Sequence, residues 1–303
     1  MVVARVLVAT ADGLHHFDAA GGPVNVEHAG RPVTAIAPEG WELWAVLEGS
    51  ELWHTAGIEW WFHVTDFTTH RGNCIADTRA GVVIGASEAR LFRVAGEGVE
   101  RIDSFDEIAG RSEWFTPWGG PPDTRSLAED HDTVYANVHV GGIVRSRDHG
   151  QSWEPTIEIR ADVHQVRTAR GRVLAATARG LAISHDQGDT WGYHTEGLEA
   201  EYCRAVAPCG EYVLLSASHG PQGGDAAVYR CAPDGGRLER CRTGLPDAIG
   251  GNIDTYWLDA LPGGELAAIG IEGGGVYTSL DQGATWRQLA SDLPEVHALL
   301  VLP

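Results

Sequence analysis

The chain has no lysine. All 22 of its basic residues are arginine, set against 42 acidic ones, and the formal charge is −20 over 303 residues. Without lysine, Schiff-base catalysis and a lysine general base are excluded. Cationic chemistry must then come from arginine, protonated histidine or a metal. The shortage of positive charge repels phosphate backbones and anionic lipid, so nucleic acid and membrane surfaces are poor partners. No apolar run approaches the ~20 residues that span a bilayer. The opening stretch MVVARVLVATADGLHHF lacks a basic n-region and a long apolar h-region and reads as strand, so no secretory signal is expected. The expected location is the cytoplasm.

Cysteine is also scarce. Cys74, Cys203, Cys209, Cys231 and Cys241 are an odd number without CxxC spacing, which argues against structural zinc or a redox pair. Cys231 and Cys241 could face each other across a hairpin. Free buried thiols are the plainer expectation in a cytosolic protein.

Helix-period stretches are missing as well. What the sequence has instead is one pattern recurring seven times: a β run, a polar or Gly-rich turn, then a second β run that starts with an aliphatic. The aliphatics are Leu14, Leu52, Leu91, Ile143, Leu181, Val228 and Val276, 38 to 52 residues apart. Repeats of roughly 40–50 residues suit one four-stranded propeller blade each. A further β run precedes each pair, as in VTAIAP and VHQVRTA, and the last of these, VHALLVLP, lies at the C-terminus. The expected fold is all-β: a single domain over residues 1–303, a seven-bladed β-propeller of four-stranded antiparallel blades. Residues 295–302 should complete the blade that begins at Arg5, which leaves no inner edge unpaired.

Three of the turns after the third strand carry S-x-D-x-G-x-[ST]-W. They are Ser146, Asp148, Gly150, Ser152 and Trp153; Ser184, Asp186, Gly188, Thr190 and Trp191; and Ser279, Asp281, Gly283, Thr285 and Trp286. Asp accepts backbone N–H bonds inside such a turn, Gly permits positive φ, and Trp packs between blades. These residues resemble the Asp-box (BNR) repeat of sialidase-like propellers, within the wider group of WD40/YVTN/BNR-like repeat proteins. In that superfamily the Asp-box is structural and lies away from the active site, so the resemblance implies no catalysis by these residues. Sialidases proper have six blades, an arginine triad, an F/Y-R-I/V-P motif near the start and a Tyr–Glu nucleophile pair. This chain has seven repeats and no such N-terminal motif; Leu91, Phe92, Arg93 and Val94 do not match it. Seven-bladed photosystem assembly factors and sortilin-type propellers share the architecture. The former use a basic patch, which a chain of this charge does not advertise.

Aligning the first strands gives an aliphatic core column of Ile36, Ile75, Leu127, Val166, Val206, Leu258 and Leu299. Two residues earlier, on the same strand face, stand Thr34, Asn73, Arg125, His164, Arg204, Tyr256 and His297. One step further out come Pro32, Arg71, Asp123, Asp162, Tyr202, Asp254 and Glu295, and the second strands end near Asp12, Glu48, Glu88, His139, Arg179, His219 and Glu272. The pattern predicts a wet, charged funnel at the channel mouth. A solvated channel without function would also be polar there. The chemical variety favours a ligand site. Arg125 and Arg204 could grip a carboxylate or phosphate ester, or simply neutralise Asp123, Asp162 and Asp254. His139, His164, His219 and His297 could gather a divalent transition metal, with Asp162 or Glu295 as oxygen ligand. The insertion Asp106–Asp123 contains Trp114 and Trp118 on a Gly/Pro-framed loop, suited to a lid or to a plain channel plug.

Two functions follow. One is a small polar or anionic ligand bound in the funnel, with hydrolase or lyase chemistry and a metal assisting. There Arg125, Arg204, Asn73, Asp123 and Trp118 would bind, and His164, His297 and Tyr256 would act. The other is a non-catalytic scaffold for a protein or peptide, favoured if Trp60 and Trp61 stand outside the core. Fold alone cannot choose between them.

Overall fold

A computed structural model describes residues 4–56, 60–67 and 69–303; the first three residues of the N-terminal reading lie outside that set. Each repeat forms a four-stranded antiparallel sheet, and the seven sheets make a seven-bladed β-propeller. In blade 1 the order from the inside is Val296–Leu302, Arg5–Thr10, Gly13–Asp18 and Pro23–Glu27. The C-terminal strand pairs antiparallel with the first strand, Leu299 opposite Val8 and Val301 opposite Val6. The inner strands of blades 2 to 7 are Val33–Glu39, Gly72–Thr78, Thr124–Asp130, Val163–Ala169, Tyr202–Cys209 and Leu258–Ala260. Among the described residues there is no α-helix, only four short 3-10 segments, and so no helix long and apolar enough to cross a membrane.

The chain divides into two compact units. One comprises Met1–Pro32, Leu174–Ile183 and Gly192–Pro303, the other Val33–Val173 and Ser184–Trp191. Each builds its cores between blades. In the first, Val6, Val8 and Phe17 pack with Leu266, Val276 and Leu299, and Leu214 and Val228 pack with Ile269 and Trp286. In the second, Trp44, Val46 and Leu52 pack with Ile75, Ile84 and Phe92. Alternation along each strand supplies one face to each neighbour, and each fully buried aliphatic contributes about 1.5–3 kcal/mol. All five cysteines are free and buried. The pairing puts Cys241 opposite Val228 and Cys231 opposite Val213, so the two do not face each other. Burial pushes the Cys74, Cys209 and Cys231 thiols up to about 12, which makes them inert at neutral pH.

A column unnoticed in the sequence holds adjacent blades together. Late in the second strands stand Gly85, Asn137 and Ser216. Asn137 Nδ2 donates to the Val163 carbonyl at 2.9 Å and Ser216 Oγ to the Ile253 carbonyl at 2.8 Å, both at the start of the next blade. At Gly85 there is no room for a side chain, since an added Cβ would lie 2.5 Å from Cys74 Sγ and 2.7 Å from a Thr124 methyl.

The three S-x-D-x-G-x-[ST]-W turns are superimposable in their bonding. In the first, Ser146 Oγ donates to Asp148 Oδ1 and accepts from the Gly150 N–H, both at 2.8 Å. Asp148 also accepts from the Ser152 N–H at 2.8 Å and the Ser152 hydroxyl at 2.6 Å. The same set recurs at Ser184, Asp186, Gly188 and Thr190 and at Ser279, Asp281, Gly283 and Thr285. Residue 149 and Gly150 both take positive φ, 58° and 84°, which explains the glycine. The bond from the Ser152 hydroxyl, with others in the turn, holds the Asp148 carboxyl down at about 2. Thr190 does the same for Asp186, also about 2.

Two outcomes are expected. Gly85→Ala should destabilise by about 1–3 kcal/mol through overpacking, and an unchanged melting temperature would show that the inner strands can separate. Because Asp148 and Asp186 are depressed from 3.8 to about 2, their contribution is complete above about pH 4 and is lost as pH falls towards 2. Asp148→Ala/Asp186→Ala should therefore be less stable at pH 7 and show a shallower loss over that window, followed by circular dichroism. Parallel acid curves would count against this role.

Candidate functional site

The polar column two residues before the core position has a backbone cause. In blade 2, Val33 pairs with Leu47 and Ala35 with Val46, so Thr34 is bulged out of the ladder. Asn73 is skipped in the same way between Gly72 and Cys74, and Arg125 between Thr124 and Ser126. His297 is skipped between Val296 and Ala298, and Arg204 lies in a wider slip between Cys203 and Val206. A bulge frees the extra residue from pairing and re-aims its side chain, which is why such positions recur beside binding sites. Tyr256 departs from the column: the blade 7 inner strand starts only at Leu258, and Tyr256 sits in the turn before it at φ 63°.

Within the unit Val33–Val173 and Ser184–Trp191, three candidate residues converge. His139 follows the second strand of blade 4, and its N–H donates to the Asp123 carbonyl at 2.9 Å. His164 is the second residue of the blade 5 inner strand and is fully buried; His139 is 5% exposed. Asp162 caps the 3-10 turn Ile159–Ala161 in the left-handed region, φ 48°, a conformation that Asp tolerates better than most residues. Its Oδ1 lies 3.5 Å from His139 Nε2 and its Oδ2 3.8 Å from His164 Nε2. The two imidazoles are 6.0 Å apart between centroids. Next to His139, Val140 also takes φ 53°, which is strained for a β-branched side chain. The Trp118 ring, 70% exposed, stands 5.2 Å from the His139 ring.

Beside this set, Asp123 Oδ1 accepts from the Glu88 N–H at 3.3 Å. Burial pushes its carboxyl up, against the opposing pull of Arg125 and Arg71. Arg71 was not among the expected binding residues; its signal is its place one step outward in the aligned column. Asn73 Nδ2 reaches the Thr124 carbonyl at 3.4 Å.

The insertion is anchored by Asp106, whose carboxylate takes Arg90, Arg101 and Arg111. Arg111 lies 4.9 Å over the Trp114 ring, and Trp114 packs 6.2 Å from Phe105 and is only 9% exposed. The two tryptophans thus differ: Trp114 is buried within the insertion and Trp118 faces solvent.

In the other unit, Arg204 Nη1 meets both Asp254 oxygens at 2.9 Å, and its Nη2 donates to the Pro221 carbonyl at 3.3 Å. Asn252 Nδ2 reaches the same carbonyl at 3.2 Å. Arg204 is therefore the tie between residues 220–225, which connect the second and third strands of blade 6, and the segment before blade 7. His219 is exposed and His297 half-buried. Neither belongs to a cluster of metal-type ligands among the described residues; the clusters are His139–Asp162–His164, Glu39–Glu42–His54 and Glu51–His63–Asp66.

No family model matches the chain, and no curated protein matches its sequence. Among solved structures it is similar to YCF48 bound to D1 peptide, with a TM-score of 0.62 at 14% identity, covering 91% of this chain and 89% of that one. It is similar to YCF48 from Cyanidioschyzon merolae, at 0.58 and 15%, covering 89% and 94%. A GH74 xyloglucanase from Xanthomonas campestris gives 0.62 at 17%, covering 94% of this chain but 46% of the enzyme. At such identities the likeness shows the fold, a seven-bladed β-propeller, and the set includes both a peptide-bound protein and an enzyme.

Replacing Trp114 by Ala should cost about 3–5 kcal/mol, as for a buried aromatic, whereas Trp118→Ala should leave the melting temperature within about 1–2 °C. Equal losses would mean that Trp118 also packs.

Proposed function

We propose that this protein binds a small polar or anionic molecule where the blade 4 loops meet the inner strand of blade 5. The observation that carries the reading is a buried pair of imidazoles, His139 and His164, sharing Asp162 and roofed by a solvent-facing indole. Buried polar groups are costly to arrange, and here two left-handed residues, Val140 and Asp162, flank them. Trp118 offers a stacking face, and Arg125 and Arg71 beside Asp123 supply positive charge in a negative protein. Arg204, already held by Asp254, serves the loops instead. The S-x-D-x-G-x-[ST]-W turns are read as Asp-box repeats with a structural role.

A peptide or protein partner is the second reading. Trp41, Trp60 and Phe62 of blade 2 are 71%, 69% and 56% exposed, and YCF48, of like fold, was solved with a peptide.

A thermal-shift screen of small carboxylates, phosphate esters and oligosaccharides, with a peptide panel beside it, separates them. A ligand at 100 times its Kd adds about 2.7 kcal/mol, a shift of several degrees that Trp118→Ala and Arg125→Ala should reduce. Shifts from peptides alone, abolished by Trp60→Ala/Phe62→Ala, would replace the first reading with the second.

A further inference from the structure

The geometry points to His139, His164 and Asp162 as a binding site for one divalent first-row transition ion. This deepens the ligand site above and rests on that reading for its location.

The separations carry the inference. A direct His–carboxylate hydrogen bond in this protein, His63 Nε2 to Asp66, measures 2.7 Å. Asp162 stands 3.5 Å from His139 and 3.8 Å from His164, one oxygen towards each Nε2. With metal bonds of about 2.1 Å, neighbouring ligand atoms on one ion lie about 3.0–3.4 Å apart. The three groups are thus spaced as ligands of a shared ion more nearly than as a bonded pair, and all three ligand atoms fall within 4.8 Å of one another.

Burial and chemistry agree. Two imidazoles and one carboxylate are the donor set of ions such as Zn²⁺ and Fe²⁺, and three protein ligands leave positions open for water or an incoming oxygen donor. An ion there would add two positive charges beside Trp118, which fits an anionic or oxygen-rich occupant. The two other clusters are spent differently. Glu39 accepts from the Trp44 indole at 2.7 Å and Glu51 from the Trp53 indole at 2.9 Å, while His63 holds Asp66.

The test is titration of the metal-stripped full chain with Co²⁺, followed by its visible absorption, then displacement with Zn²⁺, all without organic ligand. One equivalent should bind, with affinity lowered about 10-fold or more in Asp162→Asn and about 100-fold in His139→Ala and His164→Ala. Should His164→Ala fail to fold by circular dichroism, the near-isosteric Asp162→Asn decides. Absence of stoichiometric binding, or binding unchanged in Asp162→Asn and His139→Ala, overturns the assignment. Failure here with Trp118-dependent ligand shifts intact would remove the metal alone and leave the ligand site standing.

Discussion

The pairing of Val296–Leu302 with Arg5–Thr10 brings the two ends of the chain into one sheet, and the rest of blade 1 depends on it. Without that strand, Arg5–Thr10 would present an open row of N–H and C=O groups, and the cluster around Val6 and Val8 would lose Val296, Leu299 and Val301. The last strand contributes more than closure. Val301 N–H reaches Asp259 Oδ2 at 2.9 Å, and Leu299 N–H reaches the Tyr256 carbonyl at 2.7 Å. One strand therefore satisfies a sheet edge and fixes the turn before blade 7 as well.

Packing between blades leaves little freedom where inner strands approach, and side chains are freed where the ladder is interrupted. Gly85, Asn137 and Ser216 show the first half of that rule: nothing, an amide or a hydroxyl fits, and the latter two tie down a neighbour's carbonyl. The bulged Thr34, Asn73, Arg125 and His297 show the second. Released from pairing, Thr34 Oγ1 donates to the Val46 carbonyl at 3.1 Å and Asn73 Nδ2 to the Thr124 carbonyl at 3.4 Å. The longer loops are held in place by Asp106 with its three arginines in one unit and by Arg204 with Asp254 in the other.

Charge acquires a local meaning in this frame. Two of the acidic residues, Asp148 and Asp186, are spent in turns, their carboxylates held low by hydroxyl and N–H donors. The His139–Asp162–His164 set differs in kind, since its groups are buried, are contributed by two blades and lie beside an exposed indole. The same fold in its structural neighbours carries a bound peptide in one case and belongs to an enzyme in another, so the working chemistry must be sought in such clusters and not in the architecture.

The sequence by itself determined the blade count, the closing strand, the three equivalent turns and the polar column, because strand alternation and turn chemistry are local and repeat. It also marked His139, His164, His219 and His297, with Asp162 or Glu295, as members of one neighbourhood. Only the tertiary structure decided which of them meet. The bulges are invisible in composition, since Thr34, Asn73 and Arg125 share no residue type. Tyr256 left the column because a left-handed turn delays its strand, Trp114 was buried and Trp118 was not, and Arg204 was claimed by Asp254. Each of these depends on how distant segments pack, and packing between segments is not written in the period of any one of them.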